Sequence, residues 1–170
     1  KELAGVGHDG TWDPVTELFG TTLLGVLVTQ ELVVFFQLGD GDILFLTSDG
    51  AELITVPDTE LWGNLTHSLC QQDASSWVQV NVRSLQDPEQ TPRMVVLSTD
   101  GVRDCMGDGY KDLADWLTRL IQEKGWEQMV DEQPEWLAEL SKRGNGDDAT
   151  LALVDFDEDW GYHDDEDWEE

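Results

Sequence analysis

Positive charge is what this chain has least of. Nine Lys and Arg stand against 37 Asp and Glu, a formal net charge of −28. A surface of that sign repels DNA, RNA and anionic membranes at long range, which argues against nucleic acid and membrane as partners. The same surface tolerates divalent cations and basic proteins. Cysteine is nearly absent: Cys70 and Cys105 do not make a disulfide framework, so a reduced, cytoplasmic protein is expected. No apolar run approaches the length of a membrane span, and the first residues lack the basic-then-apolar layout of a signal peptide. No repeat occurs at solenoid periods. The chain also begins at Lys1 rather than Met, a hint that an upstream part belongs to it.

What is present suits one folded domain. The 170 residues are 39% hydrophobic and include eight Trp, enough for a core. Residues 1–18, with Gly5, Gly7, Gly10 and Pro14, read as an irregular opening segment. Residues 21–29 (TTLLGVLVT) and 32–38 (LVVFFQL) are β-rich runs around Gln30-Glu31, the layout of a hairpin. Gly39-Asp40-Gly41-Asp42 interrupts them, a strand resumes over residues 43–47, and Asp49-Gly50 turns it into a strand over 51–56, so that four strands run as a meander. Residues 57–87 read as a crossover that ends in a strand alternating Val78, Val80 and Val82. The run 94–97 has the β-branched content of a buried strand, and Asp100-Gly101 is the breaker pair that stops it, followed by a Gly-rich loop through Gly107 and Gly109. Leu113, Trp116, Leu117, Leu120 and Ile121 share one helical face closed by Gly125. A second helix is expected from about Pro134 to Lys142, with the proline in its first turn. Residues 151–154 form a last strand, short and apolar enough to be central. The tail, residues 155–170, holds ten acids and is expected to be solvated.

Acids recur where strands start or stop: Asp40 after residue 38, Asp100 and Asp104 after residue 97, Asp147 and Asp148 before residue 151. Carboxylates drawn from three strand ends, each beside glycine, have the chemistry of a hard-cation site for Mg²⁺ or Mn²⁺ rather than Zn²⁺. The competing reading of each acid is a turn or a cap.

Four short motifs stand in order: GTTLL (20–24), LGDGDI (38–43), STDGVRD (98–104) and GDDATLALV (146–154). In order and spacing they resemble the type-2C metal-dependent serine/threonine protein phosphatases, in a bacterial branch, over residues 19–154. The resemblance implies an α+β fold, an α-β-β-α sandwich of two antiparallel sheets flanked by helices, with its N-terminal part missing here. It implies Asp100 and Asp147 as direct ligands of a dinuclear Mg²⁺ or Mn²⁺ centre, and Asp40 and Asp104 as acids for a third ion or its water. It implies Gly101 as the residue that lets the turn close beneath the site. Asp148 stands where the family more often has Asn, so Asp147 and Asp148 compete for the ligand role. The implied reaction is hydrolysis of phosphoserine or phosphothreonine in protein substrates by a metal-activated water. Cys105 is then a bystander, and Arg103 is the best placed of the scarce cations for a substrate phosphate contact.

The family's N-terminal metal-binding acid, basic phosphate contact and Asp-Gly-x-Gly turn have no counterpart: Asp9-Gly10 is the one upstream Asp-Gly. The chain is therefore either the C-terminal portion of a larger phosphatase or a non-catalytic, phosphatase-like interaction module whose acidic tail recruits a basic partner. A halophilic source is a third account of the charge. His67 reads as a surface or crossover residue, and Trp116, Trp126 and Trp136 as core.

Overall fold

A computed structural model of the chain describes residues 20–55, 66–86, 91–144 and 146–156. The opening segment, His8, Asp9-Gly10, the first part of the crossover and the acidic tail beyond residue 156 lie outside the described residues.

Among the described residues seven strands make two antiparallel sheets. β1 (Leu23–Val28), β2 (Leu32–Leu38) and β5 (Gln79–Ser84) form one, in the order β1-β2-β5. β3 (Asp42–Thr47), β4 (Gly50–Leu53), β6 (Pro92–Ser98) and β7 (Leu151–Asp155) form the other, in the order β4-β3-β6-β7. The expected meander is thus two hairpins, and the chain changes sheet at Gly39-Asp40-Gly41. The β1–β2 hairpin closes without a favoured turn pair because the Thr29 hydroxyl accepts bonds from the backbone N–H of Glu31 (3.3 Å) and Leu32 (3.0 Å).

Burial explains the layering. β3 is buried along its whole length and β6 over residues 94–98, so alternate side chains serve two cores. Val33 and Phe35 of β2 meet Ile43 and Phe45 of β3 and Val95 and Leu97 of β6 between the sheets, with the Phe35 and Phe45 rings 5.3 Å apart. On the other face Leu44, Leu46, Met94 and Val96 pack against α1 (Asp100–Met106), a 3-10 segment (Gly107–Asp112), α2 (Leu113–Lys124) and α3 (Trp126–Arg143). These layers are the expected sandwich of two antiparallel sheets with helices; among the described residues the helices cover the β4-β3-β6-β7 sheet. On the opposite sheet Leu27, Val80 and Val82 stay exposed.

Four expectations change. Asp100-Gly101 does not open a loop: it begins α1, so Asp104 lies one helical turn beyond Asp100. The Gly107 and Gly109 stretch is a 3-10 segment. Pro134 sits inside α3, which starts eight residues earlier at Trp126. Packing of Met129, Trp136, Leu137 and Leu140 on the core outweighs the one backbone bond that a proline removes. Finally, among the described residues β7 stands at the edge of its sheet, not at its centre. Among the described residues no helix is long and apolar enough to cross a membrane.

Candidate metal centre

The site is built where the two sheets meet at one end. β2 ends at Leu38, and the turn carrying Asp40 leads to Asp42, the first residue of β3. β3 pairs with β6 so that Asp42 lies opposite Ser98, and Ser98 in turn lies opposite Leu151 of β7. Register alone therefore brings the 39–42 turn, the start of α1 and the 147–150 segment to the same end. Between them opens a cavity of about 350 Å³, lined by Thr21, Leu24, Asp40, Thr99, Asp100 and Thr150 among others.

Asp100 is the half-buried member. Its Oδ1 accepts the N–H of Gly101 at 2.9 Å. Its carboxyl is pushed above the ordinary carboxylate range, first by burial, then by the charges of Asp40, Asp147 and Asp104, while the Gly101 bond opposes the rise. The charges of acids from three separate segments thus bear on one carboxyl. Asp147 is among the charges that act on Asp100 in this way. Asp148 instead lines a groove beside α3 with Leu137 and Lys142.

The 147–150 segment is held against α1 by Thr99. Its Oγ1 donates to the Asp148 carbonyl (3.1 Å) and accepts from the Thr150 N–H (3.0 Å). The Ser141 hydroxyl donates to the Asp147 carbonyl at 2.6 Å. Gly101 leaves space for this approach.

Arg103 points to a neighbour that the sequence reading left unused. Its Nη1 donates to Asp42 Oδ1 at 2.6 Å, and the Asp42 side chain is 1% exposed against 39% for Arg103. Asp42 Oδ1 also accepts from Thr55 Oγ1 at 3.0 Å, while Oδ2 is buried without a hydrogen-bond partner among the described residues. Burial raises the Asp42 carboxyl and Arg103 opposes it. The available signal was an acid heading a fully apolar strand. Two bland readings also move. His67 is buried, stacked on Trp77 at 4.1 Å with its Nδ1 3.2 Å from Gln71 Oε1. Trp116 and Trp126 are partly exposed on the helical layer, not core.

The donor chemistry, carboxylate oxygen alone, fits a hard divalent cation. The donor number falls short: among the described residues no three His, Cys, Asp or Glu side chains come together closely enough to hold an ion.

Three solved structures are similar at the level of the fold. A bacterial serine phosphatase superposes with a TM-score of 0.56 at 18% identity, covering 81% of this chain and 58% of that one. The serine/threonine phosphatase Stp1 from Staphylococcus aureus gives 0.54 at 18%, covering 81% and 57%. The catalytic domain of the serine threonine protein phosphatase PstP, in complex with two manganese ions, gives 0.51 at 20%, covering 80% and 60%. The chain thus spans less than two thirds of the structures it matches. Comparison with curated proteins yields no match. The family model of protein phosphatase 2C matches residues 10–140, most of the sequence and three of its four motifs whole. With its sheet register and acid placement also in hand, this chain belongs to the protein phosphatase 2C family.

Proposed function

We propose that residues 19–154 supply part of the centre of a metal-dependent protein phosphatase acting on phosphoserine and phosphothreonine, with two or three Mg²⁺ or Mn²⁺ ions in the whole protein. The observation that carries this reading is the placement of Asp40 and Asp100 on one open cavity, with Asp104 one helical turn beyond Asp100 and Asp147 against Gly101. Four like charges gathered there repel one another unless cations offset them. Asp100 and Asp147 hold the ions directly, and Asp40 and Asp104 hold an outer ion or its water, as their motif positions imply. When bound, divalent ions lower the pKa of water and neutralise phosphoryl oxygens as charge moves to the leaving oxygen. This chain's own part is to fix the donors: Gly101 N–H orients Asp100, Thr99 ties the 147–150 segment to α1, and the cavity floor of Leu24, Leu97 and Ala152 limits water. Arg103 keeps part of its guanidinium exposed for a substrate phosphate oxygen.

The lack of a three-acid group among the described residues favours a second reading, a phosphatase-like module without turnover, whose tail, residues 155–170, recruits a basic partner. Hydrolysis of a phosphopeptide with Mn²⁺, by the parent and by Asp100→Asn, separates the two. The phosphatase reading expects turnover that falls at least about a hundredfold in Asp100→Asn, as loss of a group stabilising transition-state charge does. Turnover that survives the substitution overturns it. Absence of turnover in the intact polypeptide supports the second reading; absence in this chain alone fits both.

A further inference from the structure

We propose that the Arg103–Asp42 ion pair is a positioning device that sets α1, and with it Asp100 and Asp104, against the turn carrying Asp40. The inference rests on the metal-centre reading above.

Arg103 lies between Asp100 and Asp104 on the single short helix that bears both. Asp42 lies two residues beyond Asp40, at the first position of β3. The 2.6 Å bond between them therefore joins the two segments whose acids must meet. α1 has seven residues, and its N-cap Thr99 makes no side-chain cap bond, so the helix does not orient itself. Val102, fully buried, fixes how deep α1 sits. Met106 and the Cys105–Gly144 contact seat α1 on the helical layer, and Gly101 meets the 147–150 segment; the bond from the guanidinium to the buried carboxylate that Thr55 also grips is the one that ties α1 to the start of β3, beside the 39–42 turn.

Stability is a poor explanation for this pair. Burying a carboxylate with one oxygen unpartnered costs more than an apolar side chain of the same size, and buried ion pairs are frequently replaced by hydrophobic residues without loss. What an apolar pair cannot reproduce is a directional bond between two fixed points. The clamp also carries a charge that works against the centre's purpose, because a guanidinium beside an acidic cluster repels a cation. Electrostatics and positioning therefore predict opposite results when Arg103 is removed.

The test is Mn²⁺ titration of the ¹⁵N-labelled full chain, read by paramagnetic broadening of the Gly101 amide, with the thermal midpoint recorded in parallel. Arg103→Met is expected to raise the Mn²⁺ concentration for half-broadening roughly tenfold, the scale of loss when a residue that orients metal ligands is changed. Arg103→Lys, which keeps a charged donor, is expected to recover most of that loss. Unchanged or tighter Mn²⁺ binding in folded Arg103→Met overturns the positioning role. Should Arg103→Met fail to fold, Arg103→Gln takes its place with the same two outcomes. A parent chain in which Gly101 is not broadened overturns the metal reading and this inference together, whereas a broadened parent with unaffected variants overturns the inference alone.

Discussion

Gly101 and Asp148 touch: a Cβ on Gly101 would stand 2.6 Å from the Asp148 carbonyl oxygen and 3.4 Å from the Asp147 Cβ. The obstacle is mostly backbone, so it cannot step aside as a side-chain tip would. Gly101→Ala is expected to cost about 1–3 kcal/mol in denaturant unfolding. The amide resonances of Thr99 and Thr150, which are bonded to each other, should move with it. Unchanged stability and shifts would show that the 147–150 segment does not rest on α1.

Cys105 and Gly144 make a second close contact, between α1 and the C-terminal end of α3. A Cβ at Gly144 would lie 2.0 Å from Cys105 Sγ. Gly144→Ala is expected to lose about 1–3 kcal/mol. In a double-mutant cycle with Cys105→Ala the two changes should couple favourably, by about 0.5–3 kcal/mol. Additive effects would mean that the two helices do not meet at this point.

Met129 tests where α3 begins. It is 1% exposed and packs with Leu44, Leu46 and Leu117. Met129→Ala is expected to cost about 2–5 kcal/mol by calorimetry or urea unfolding, the range for emptied core positions. A helix that began only at Pro134 would leave residue 129 in a connection, and the substitution nearly silent.

Tyr110 gives a pH signature. Its hydroxyl shares a 2.7 Å hydrogen bond with Ser98, and its phenol is pushed up from 10.0 to about 12, first by burial and also by the charge of Asp42, with Ser98 and Arg103 opposing. The folded state therefore keeps a proton that the unfolded chain has already lost. Stability from this group is complete below the unfolded value near 10 and disappears as pH rises through about 12. Its size is roughly 2–3 kcal/mol, from about 1.4 kcal/mol per pKa unit. Phenolate absorbance in the parent and in Tyr110→Phe, followed across that range, checks it. Ionisation of Tyr110 near pH 10 would refute the burial assigned to it.

Much of this molecule is legible in local pattern, and the failures have a common cause. Strand content is readable because β2, β3 and β6 are apolar runs bounded by Gly and Asp, and α2 because its stripe ends at Gly125, whose φ of +85° favours glycine. The family motifs locate Asp40, Asp100, Asp104 and Asp147 before any coordinates exist. Local signals mislead where tertiary contact outweighs them. Asp100-Gly101 is a breaker by propensity, yet burial of Val102 and the paired Arg103 hold it as a first helical turn. Pro134 is an N1 residue by preference, yet Met129 secures two turns before it. Asp42 shows in the sequence only as an acid heading an apolar strand, because its partner Arg103 lies 61 positions away.

The face of the β1-β2-β5 sheet that stays open among the described residues has a practical meaning for handling the protein. Leu27, Val80 and Val82 are 56%, 63% and 48% exposed on a chain whose formal charge is −28. In dilute buffer, mutual repulsion keeps such faces apart; at high salt the Debye length shrinks to a few ångströms and that barrier vanishes. Colloidal behaviour should therefore run opposite to the habit of salting a protein in: the chain is expected to be most monodisperse at low ionic strength and to self-associate through this sheet as salt is added.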